Sequence, residues 1–526
     1  MIPRTRVLHP FWLAVYPVMA LLAHNVGWSP PTDALRPFLI ALVGAALLLG
    51  ITRWIVGDWL KAGLIASLIL LLFFSYGHVY GVMKTAGWGA SVGRHRYLAP
   101  AFGLAFLLST FLILRRLRDP APLTSALNWM SAALVALPVV SLGAYILNPP
   151  ARPEPAASIQ ELHLPAGAPP DVYYIILDAY ARQDTLQQVY EYDNGAFIGF
   201  LRERGFYVAD GSRSNYAQTG LSLSSSMNMN YIDALVPELE SGSRGRQTLW
   251  ELIQHSEVRR RLEALGYETV AFSTGLPGTE IRDADVYLRP GTADETLSLE
   301  GSNPFESMLA QTTMLRLVSD GVVALPRFIP TLDYPYQIHR TRIRYILDTL
   351  ADLPASSGPR FVFAHVISPH PPFVFGPDGE ELTPDAPFTL KFTFDSGPSS
   401  SVDDYLRGYR GQVVFVNREI ERVIDSILAH AATTPVIIIQ GDHGPDSSST
   451  RVSYVQERMT NLNAYLLPTG DAGLYPTITP VNSFRVMFNE LFGGTYEMLP
   501  DRVLYSQYQT PYSFFDVTDA IVQPAQ

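Results

Sequence analysis

The distribution of apolar positions divides the chain in two. Five long apolar stretches follow one another at 10–26, 37–52, 60–83, 98–114 and 126–147, with short polar breaks between them. Each approaches the ~20 residues that a helix needs to cross ~30 Å of hydrocarbon. Five membrane spans are therefore predicted over 1–147. The first stretch is not read as a cleavable signal, because four more follow it and no small-residue cleavage site is clear. From Asp171 onward the pattern changes to short β-branched runs alternating with helix-period segments, as in an α/β sheet covered on both faces. Val172–Leu177, Glu268–Phe272, 361–367 and Val436–Gln440 read as buried strands. Residues 409–429 place Val413, Val416, Ile420, Val423, Ile424, Ile427 and Leu428 at 3/4 spacing, the core face of a long helix. The fold class expected is an α-helical membrane domain followed by an α/β domain at 171–526 with a mostly parallel central sheet. Between them, 148–170 holds seven prolines and reads as an extended linker.

Charge gives this arrangement a direction. With the N-terminus inside, the inner loops hold Arg4, Arg6, Arg53, Lys61, Arg115, Arg116 and Arg118, against Arg36, Lys84, Arg94 and Arg96 outside. Five crossings then carry everything after residue 147 to the periplasmic or extracellular side, where a membrane-facing site can meet lipid. Residues 151–526 hold 27 basic and 46 acidic side chains, net −19, which disfavours nucleic acid as a partner. The absence of cysteine excludes disulfides, thiolate zinc sites and thiol nucleophiles. His78 and His95 lie in or beside spans near the interfaces, where hydrogen-bonded structural roles are expected.

The candidate chemistry sits where strands end. Gly441-Asp442-His443-Gly444 follows Val436–Gln440 directly, a carboxylate and an imidazole on a glycine turn at the mouth of the sheet. Val172–Leu177 also ends in an acid, Asp178, and the two carboxylates meet only if both strands share one sheet. Thr219 stands where a helix is predicted to begin, so exposed amides and the helix dipole would favour an anion beside its hydroxyl. An N-cap threonine is the bland alternative. His365, at the end of the 361–367 strand, and His370, in the proline-rich loop after it, have the types to ligate a metal, hold an oxyanion or protonate a leaving alkoxide.

In order along the chain, Asp178, Thr219, the His365/His370 pair and Asp442-His443 resemble the alkaline phosphatase and sulfatase superfamily. The nearest resemblance is to its membrane-anchored phosphotransferases, the lipoteichoic acid synthases and lipid A phosphoethanolamine transferases. These carry five spans before an outward-facing catalytic domain. The resemblance implies a divalent ion, Zn²⁺ or Mn²⁺ by donor type, on Asp178, Thr219, Asp442 and His443. It further implies that Thr219 is the nucleophile and that His370 is catalytic. His365, His370, Asn215 and Arg182 are the candidates for substrate or second-metal contact. The Thr219–Ser222 spacing resembles the family's nucleophile segment.

There are departures. Asp178 stands where the named transferases use Glu, no histidine follows His443, and no C/S-x-P-x-R segment exists to make a sulfatase formylglycine. One metal rather than two is expected, and sulfate-ester hydrolysis is disfavoured. The implied activity is transfer of a phospho group to a lipid or cell-envelope glycan through a phospho-threonine. A same-fold phosphodiesterase or phosphatase, or an inactive membrane binding protein, is the alternative.

Overall fold

In the computed structural model the described residues are 6–26, 31–85, 93–147, 161–165, 167–243, 245–291, 304–319, 334–353, 358–382, 390, 401–447 and 449–521. Most of the predicted linker lies outside them. The chain forms two compact units, one from Met1–Ala151 with Thr292–Pro335, the other from Arg152–Gly291 with Tyr336–Gln526.

The first unit is built on five helices, each lying on a predicted apolar stretch: α1 (His9–His24), α2 (Leu35–Val56), α3 (Trp59–Thr85), α4 (His95–Arg115) and α5 (Ala121–Leu147). Four of them, α2 to α5, are long and apolar enough to cross a membrane. The expectation of five spans is met only in part, because α1 has 16 residues and at 1.5 Å each covers roughly 24 Å, short of the hydrocarbon thickness. Yet α1 is packed against α2, α3 and α5, and its Ala14 and Val18 are fully buried. Its first amides are capped from another helix: Leu8 N and His9 N donate to Asn128 Oδ1 of α5 at 3.0 and 2.8 Å. His95 accepts or donates at Tyr76 Oη, 2.9 Å away, and stacks on Tyr80 with ring centroids 4.0 Å apart, a structural role as expected. His78 is exposed on α3.

The inserted segment is held to these helices by its own apolar face. Phe305, on the helix Pro304–Thr312, is fully buried in a cluster with Val18, Leu22, Ala34 and Leu142. Arg36 pairs with Glu306, and Met314 N donates to Phe73 O at 2.8 Å.

The second unit is organised by seven strands: β1 (Val172–Leu177), β2 (Tyr207–Val208), β3 (Glu268–Phe272), β4 (Val286–Leu288), β5 (Arg360–Val366), β6 (Val436–Gln440) and β7 (Asn463–Leu466). Their order is β2-β7-β6-β1-β5-β3-β4. β6, β1, β5, β3 and β4 are parallel; β7 runs antiparallel to β6, and β2 to β7, so the sheet is mixed at one edge. Parallel strands at the centre need cover on both faces, which is why β1, β5 and β6 are buried along their whole length.

Alternation assigns the faces. Tyr173, Ile175 and Leu177 share one core with Val362, Ala364, Val366, Ile437 and Ile439, under the helices Gln183–Tyr190, Gly195–Glu203, Tyr334–Ala351 and Val402–His430. The predicted apolar face of 409–429 lies in this core, as Val413, Val416, Ile420, Val423 and Ile424. Tyr174 points the other way, with its hydroxyl 2.9 Å from Ser226 Oγ and its ring edge-on to Phe484. That second face is therefore covered by the helices Thr219–Met227 and Pro480–Phe492.

Candidate active site

β1 lies between β5 and β6, so the two acid-ended strands are immediate neighbours. Register then aligns their ends: Ile176 pairs with His365 on one side and Gln440 on the other. Counting by two, Asp178, His365 and Asp442 have the parity of Tyr174 and Ile176 and project toward the face covered by the helix that begins at Thr219. One donor atom from each of these three side chains lies within 4.8 Å of the other two. His365 Nε2 is 3.1 Å from Asp178 Oδ2, and His443 Nε2 is 3.3 Å from Asp442 Oδ2. Thr219, the first residue of its helix as predicted, brings Oγ1 to 3.2 Å from His443 Nε2. Asp178, His365, Asp442 and His443 are buried, whereas Thr219 and His370 are only half-buried. The site therefore opens to its surroundings through these two residues.

The backbone is shaped to make this approach. Gly441 and Gly444 are not at positive φ; they are needed because a Cβ at Gly441 would collide with Tyr180 O, and one at Gly444 with Glu457 O and Thr460 O. Ala179, just after Asp178, does adopt positive φ at 61°, which costs on the order of 1 kcal/mol. That turn is held by Tyr409 Oη, which donates to Ala179 O at 2.7 Å, and it aims Ala179 N–H at Asp442 Oδ1, 2.9 Å away. Ser214 and Ser222 both donate to Asp442 O, at 2.5 and 2.7 Å. The Thr219–Ser222 spacing is thus one helical turn that ties the Thr219 helix to the Asp442 turn.

Each imidazole is oriented at Nδ1. His443 Nδ1–H donates to Gly444 O at 3.0 Å, His370 Nδ1–H to Pro371 O, and His365 Nδ1 meets Thr279 Oγ1 at 2.9 Å. With Nδ1–H so committed, Nε2 presents a lone pair to the centre. The centre consequently gathers acceptors: Nε2 of His365 and of His443 faces a carboxylate oxygen, and Asp178 Oδ1 and Asp442 Oδ2 are buried without a hydrogen-bond donor. Anionic and lone-pair donors converging in a buried cluster fit a divalent cation, and the mixed N/O set is one that Zn²⁺ and Mn²⁺ accept. Thr279 was not foreseen; its only sequence signal is a hydroxyl in a loop far from any motif. Thr279→Val is expected to weaken metal binding about 10- to 100-fold, as read by titration of the purified protein, because His365 loses its orienting partner.

The electrostatics agree with a site built for positive charge. Burial raises the Asp178 carboxyl, but His370, His365 and His443 outweigh it and hold it below the usual carboxylate range. Asp442 goes the other way: burial, then the charge of Asp178, push it well above that range. Two carboxylates this close do not both ionise cheaply without a cation between them. Burial lowers His370, and burial followed by the Arg458 guanidinium lowers His443.

Arg458 is a second residue that the sequence reading missed. It lies in the helix Tyr454–Met459, and Nη2 is 3.1 Å from His443 Nε2. Of the other candidates, Asn215 donates to Thr479 Oγ1 and Arg502 O and accepts from Val481 N, and Arg182 donates to Asp184 and to Ser212 O. Both amide and guanidinium are engaged in holding loops rather than turned toward the carboxylates.

No protein-family model and no curated protein matches the chain. Solved structures do. An integral membrane lipooligosaccharide phosphoethanolamine transferase A from Neisseria meningitidis matches at 11% identity and a TM-score of 0.38, over 96% of this chain and 98% of that one. The zinc complex of the C-terminal periplasmic domain of EcEptC from Escherichia coli matches at 9% identity and 0.40, over 69% and 98%. A phosphonate monoester hydrolase of Agrobacterium radiobacter matches at 15% identity and 0.37, over 64% and 80%.

Proposed function

We propose that the chain is a membrane-anchored, metal-dependent transferase that moves a phospho group to a lipid or cell-envelope glycan through a phospho-threonine at Thr219. The observation that carries this reading is the half-buried Thr219 hydroxyl, 3.2 Å from His443 Nε2 at the edge of the buried Asp178–His365–Asp442 cluster. Asp178, Asp442, His443 and Thr219 would hold the ion, with His365 added to that set by its position. A bound divalent cation would supply the positive charge that favours ionised Thr219 and offsets charge building at phosphorus.

The remaining chemistry belongs to the side chains. Thr219 Oγ1, 3.2 Å from His443 Nε2, stands at the open side of the site. Attack forms the Oγ–P bond as the bond from phosphorus to the donor's leaving oxygen breaks, and the proton that Thr219 gives up ends on that oxygen, so the donor leaves as an alcohol. The helix beginning at Thr219 presents its first-turn amides and positive dipole end to the same phosphoryl oxygens. His370, kept neutral by burial and bonded at Nδ1, has Nε2 available to take the proton of the acceptor hydroxyl that displaces Thr219. Because its pKa is depressed from 6.5, the acid limb that His370 contributes should fall below pH 6.5, with activity lost as His370 protonates. In a His370→Gln variant assayed across pH, residual activity should lack that limb.

The membrane assignment rests on α2 to α5 and on charge. If α1 also crosses, seven basic residues lie inside and four outside; if it does not, Arg4 and Arg6 move out and the bias reverses to five against six. The asymmetry favours five crossings, with 1–147 as anchor, 148–170 as linker and the catalytic domain from 171 on the periplasmic or extracellular side. The reading is tested by incubating the purified protein with membrane lipid extract and measuring the mass of the Thr219 peptide. A covalent adduct identifies the transferred group, and an alcohol or water product separates transfer from hydrolysis. An unmodified Thr219 during active turnover would overturn the covalent route.

A further inference from the structure

Arg458 is held at three points that frame the reaction centre. Nε donates to Ala217 O at 2.9 Å, Nη1 to Gly444 O at 2.8 Å, and Nη2 to His443 Nε2 at 3.1 Å. Ala217 lies two residues before Thr219, and Gly444 follows His443. The guanidinium is therefore fixed to the backbone on both sides of the candidate nucleophile and ligand. Thr219 Oγ1 and Arg458 Nη2 approach the same ring nitrogen and so lie no farther apart than the sum of those two contacts. A tetrahedral oxyanion attacked by Thr219 falls within reach of Nη2. A guanidinium has five N–H groups, and these three bonds leave one on Nη1 and one on Nη2, donors enough for two oxygens of a phosphate.

We propose that Arg458 is the anion clamp of this site, binding two non-bridging oxygens of the phospho group. The proposal rests on the phospho-transfer reading above and deepens it by assigning the group that recognises the substrate. It also gives the contact with His443 a purpose. Nε2 is a ligand candidate whose lone pair Arg458 occupies before an ion arrives. Once the ion takes that lone pair, the Nη2 N–H needs another acceptor, and the phospho oxygens are the nearest chemistry that supplies one. Metal and anion binding are then mutually dependent, with Arg458 opposing the first when the second is absent. No histidine occurs between His443 and the C-terminus of the sequence, and the guanidinium that does reach His443 is permanently charged.

The test uses the full-length protein in detergent, titrated with Mn²⁺ and then, at saturating Mn²⁺, with inorganic phosphate. Arg458→Gln should weaken phosphate binding about 10- to 100-fold while Mn²⁺ binds at least as tightly as in the wild type. Arg458→Lys, which keeps the charge but loses the fork, should recover part of the phosphate affinity. These opposite signs distinguish a clamp from a structural tie, because a residue that only holds the turn together would weaken both ligands in parallel. Unchanged phosphate affinity in Arg458→Gln, or parallel loss of Mn²⁺, overturns the proposal and leaves the phospho-transfer reading standing. Wild-type protein that takes up no Mn²⁺ abolished by Asp442→Asn overturns that reading, and this inference with it.

Discussion

Replacing Thr219 with alanine is expected to abolish transfer, with at least a 10³-fold fall in turnover of a phosphodiester donor and no covalent adduct at residue 219. The size follows from the role: removal of a nucleophile eliminates the chemical step and leaves only the effects of binding and charge, a loss that reaches ~10⁶ in other enzymes. The fold should tolerate the change. Thr219 is half-buried at the first position of its helix, and that helix is fastened elsewhere, by Ser222 to Asp442 O, by Ser224 to Leu249 O and by Ser226 to Tyr174. Circular dichroism and thermal unfolding of Thr219→Ala should match the wild type. Thr219→Ser, which keeps an oxygen in place, should restore adduct formation and a measurable rate. Full turnover in the alanine variant would remove the covalent mechanism.

Asp442→Asn should show a more unusual pair of effects, loss of metal together with a gain in the stability of the metal-free protein. Asp442 supplies a buried oxygen without a donor beside a second carboxylate, so replacing it with a neutral amide removes a ligand and lowers metal affinity by more than ~100-fold. The stability effect has its own sign. Asp442 is raised above its ordinary value of 3.8, so the metal-free fold binds its proton more tightly than the unfolded chain does. Stability is then lost as pH rises from near 3.8 through the folded pKa of about 7, so near neutral pH the metal-free wild type carries most of that loss. Asparagine cannot ionise and avoids it. Without metal, Asp442→Asn should melt higher than the wild type, by about 2–4 °C for each kcal/mol released. Added Mn²⁺ or Zn²⁺ should reverse the order by stabilising only the wild type. Equal metal content in the two proteins by elemental analysis would remove Asp442 from the ligand set.

The parts legible in the sequence were those with a local cause. Apolar runs identified β1 and β6, and the acid close after each identified Asp178 and Asp442, because a parallel strand buried on both faces leaves no other place for a carboxylate than its end. The start of the helix at Thr219 was legible from the turn chemistry before it. What was not legible depends on register and on distant loops. His365 belongs with Asp178 because it pairs with Ile176, a fact of strand alignment that no spacing within 361–373 contains. Thr279 and Arg458 reach the centre from short helical turns, 86 residues before His365 and 15 after His443. The glycines of the 441–444 turn were read as serving a tight turn, whereas close passage of the Tyr180 and Glu457 backbone is what demands them. Asn463–Leu466 is too short to announce its antiparallel pairing with β6. The shortness of α1 was legible as well, since the apolar stretch 10–26 has 17 residues and the helix 16.

The helix Pro304–Thr312 bears on how the α/β unit can be studied. Phe305 is buried against α1 and α5, with Met308 and Leu309 beside it, although all three lie between segments of the other unit in the chain. Cutting after residue 151 would strip that helix of its packing and leave its apolar side in water, inviting self-association. A soluble fragment beginning at Arg152 should therefore aggregate. The same fragment with 292–335 replaced by a short polar loop should stay monodisperse, so excising the anchor requires two cuts rather than one.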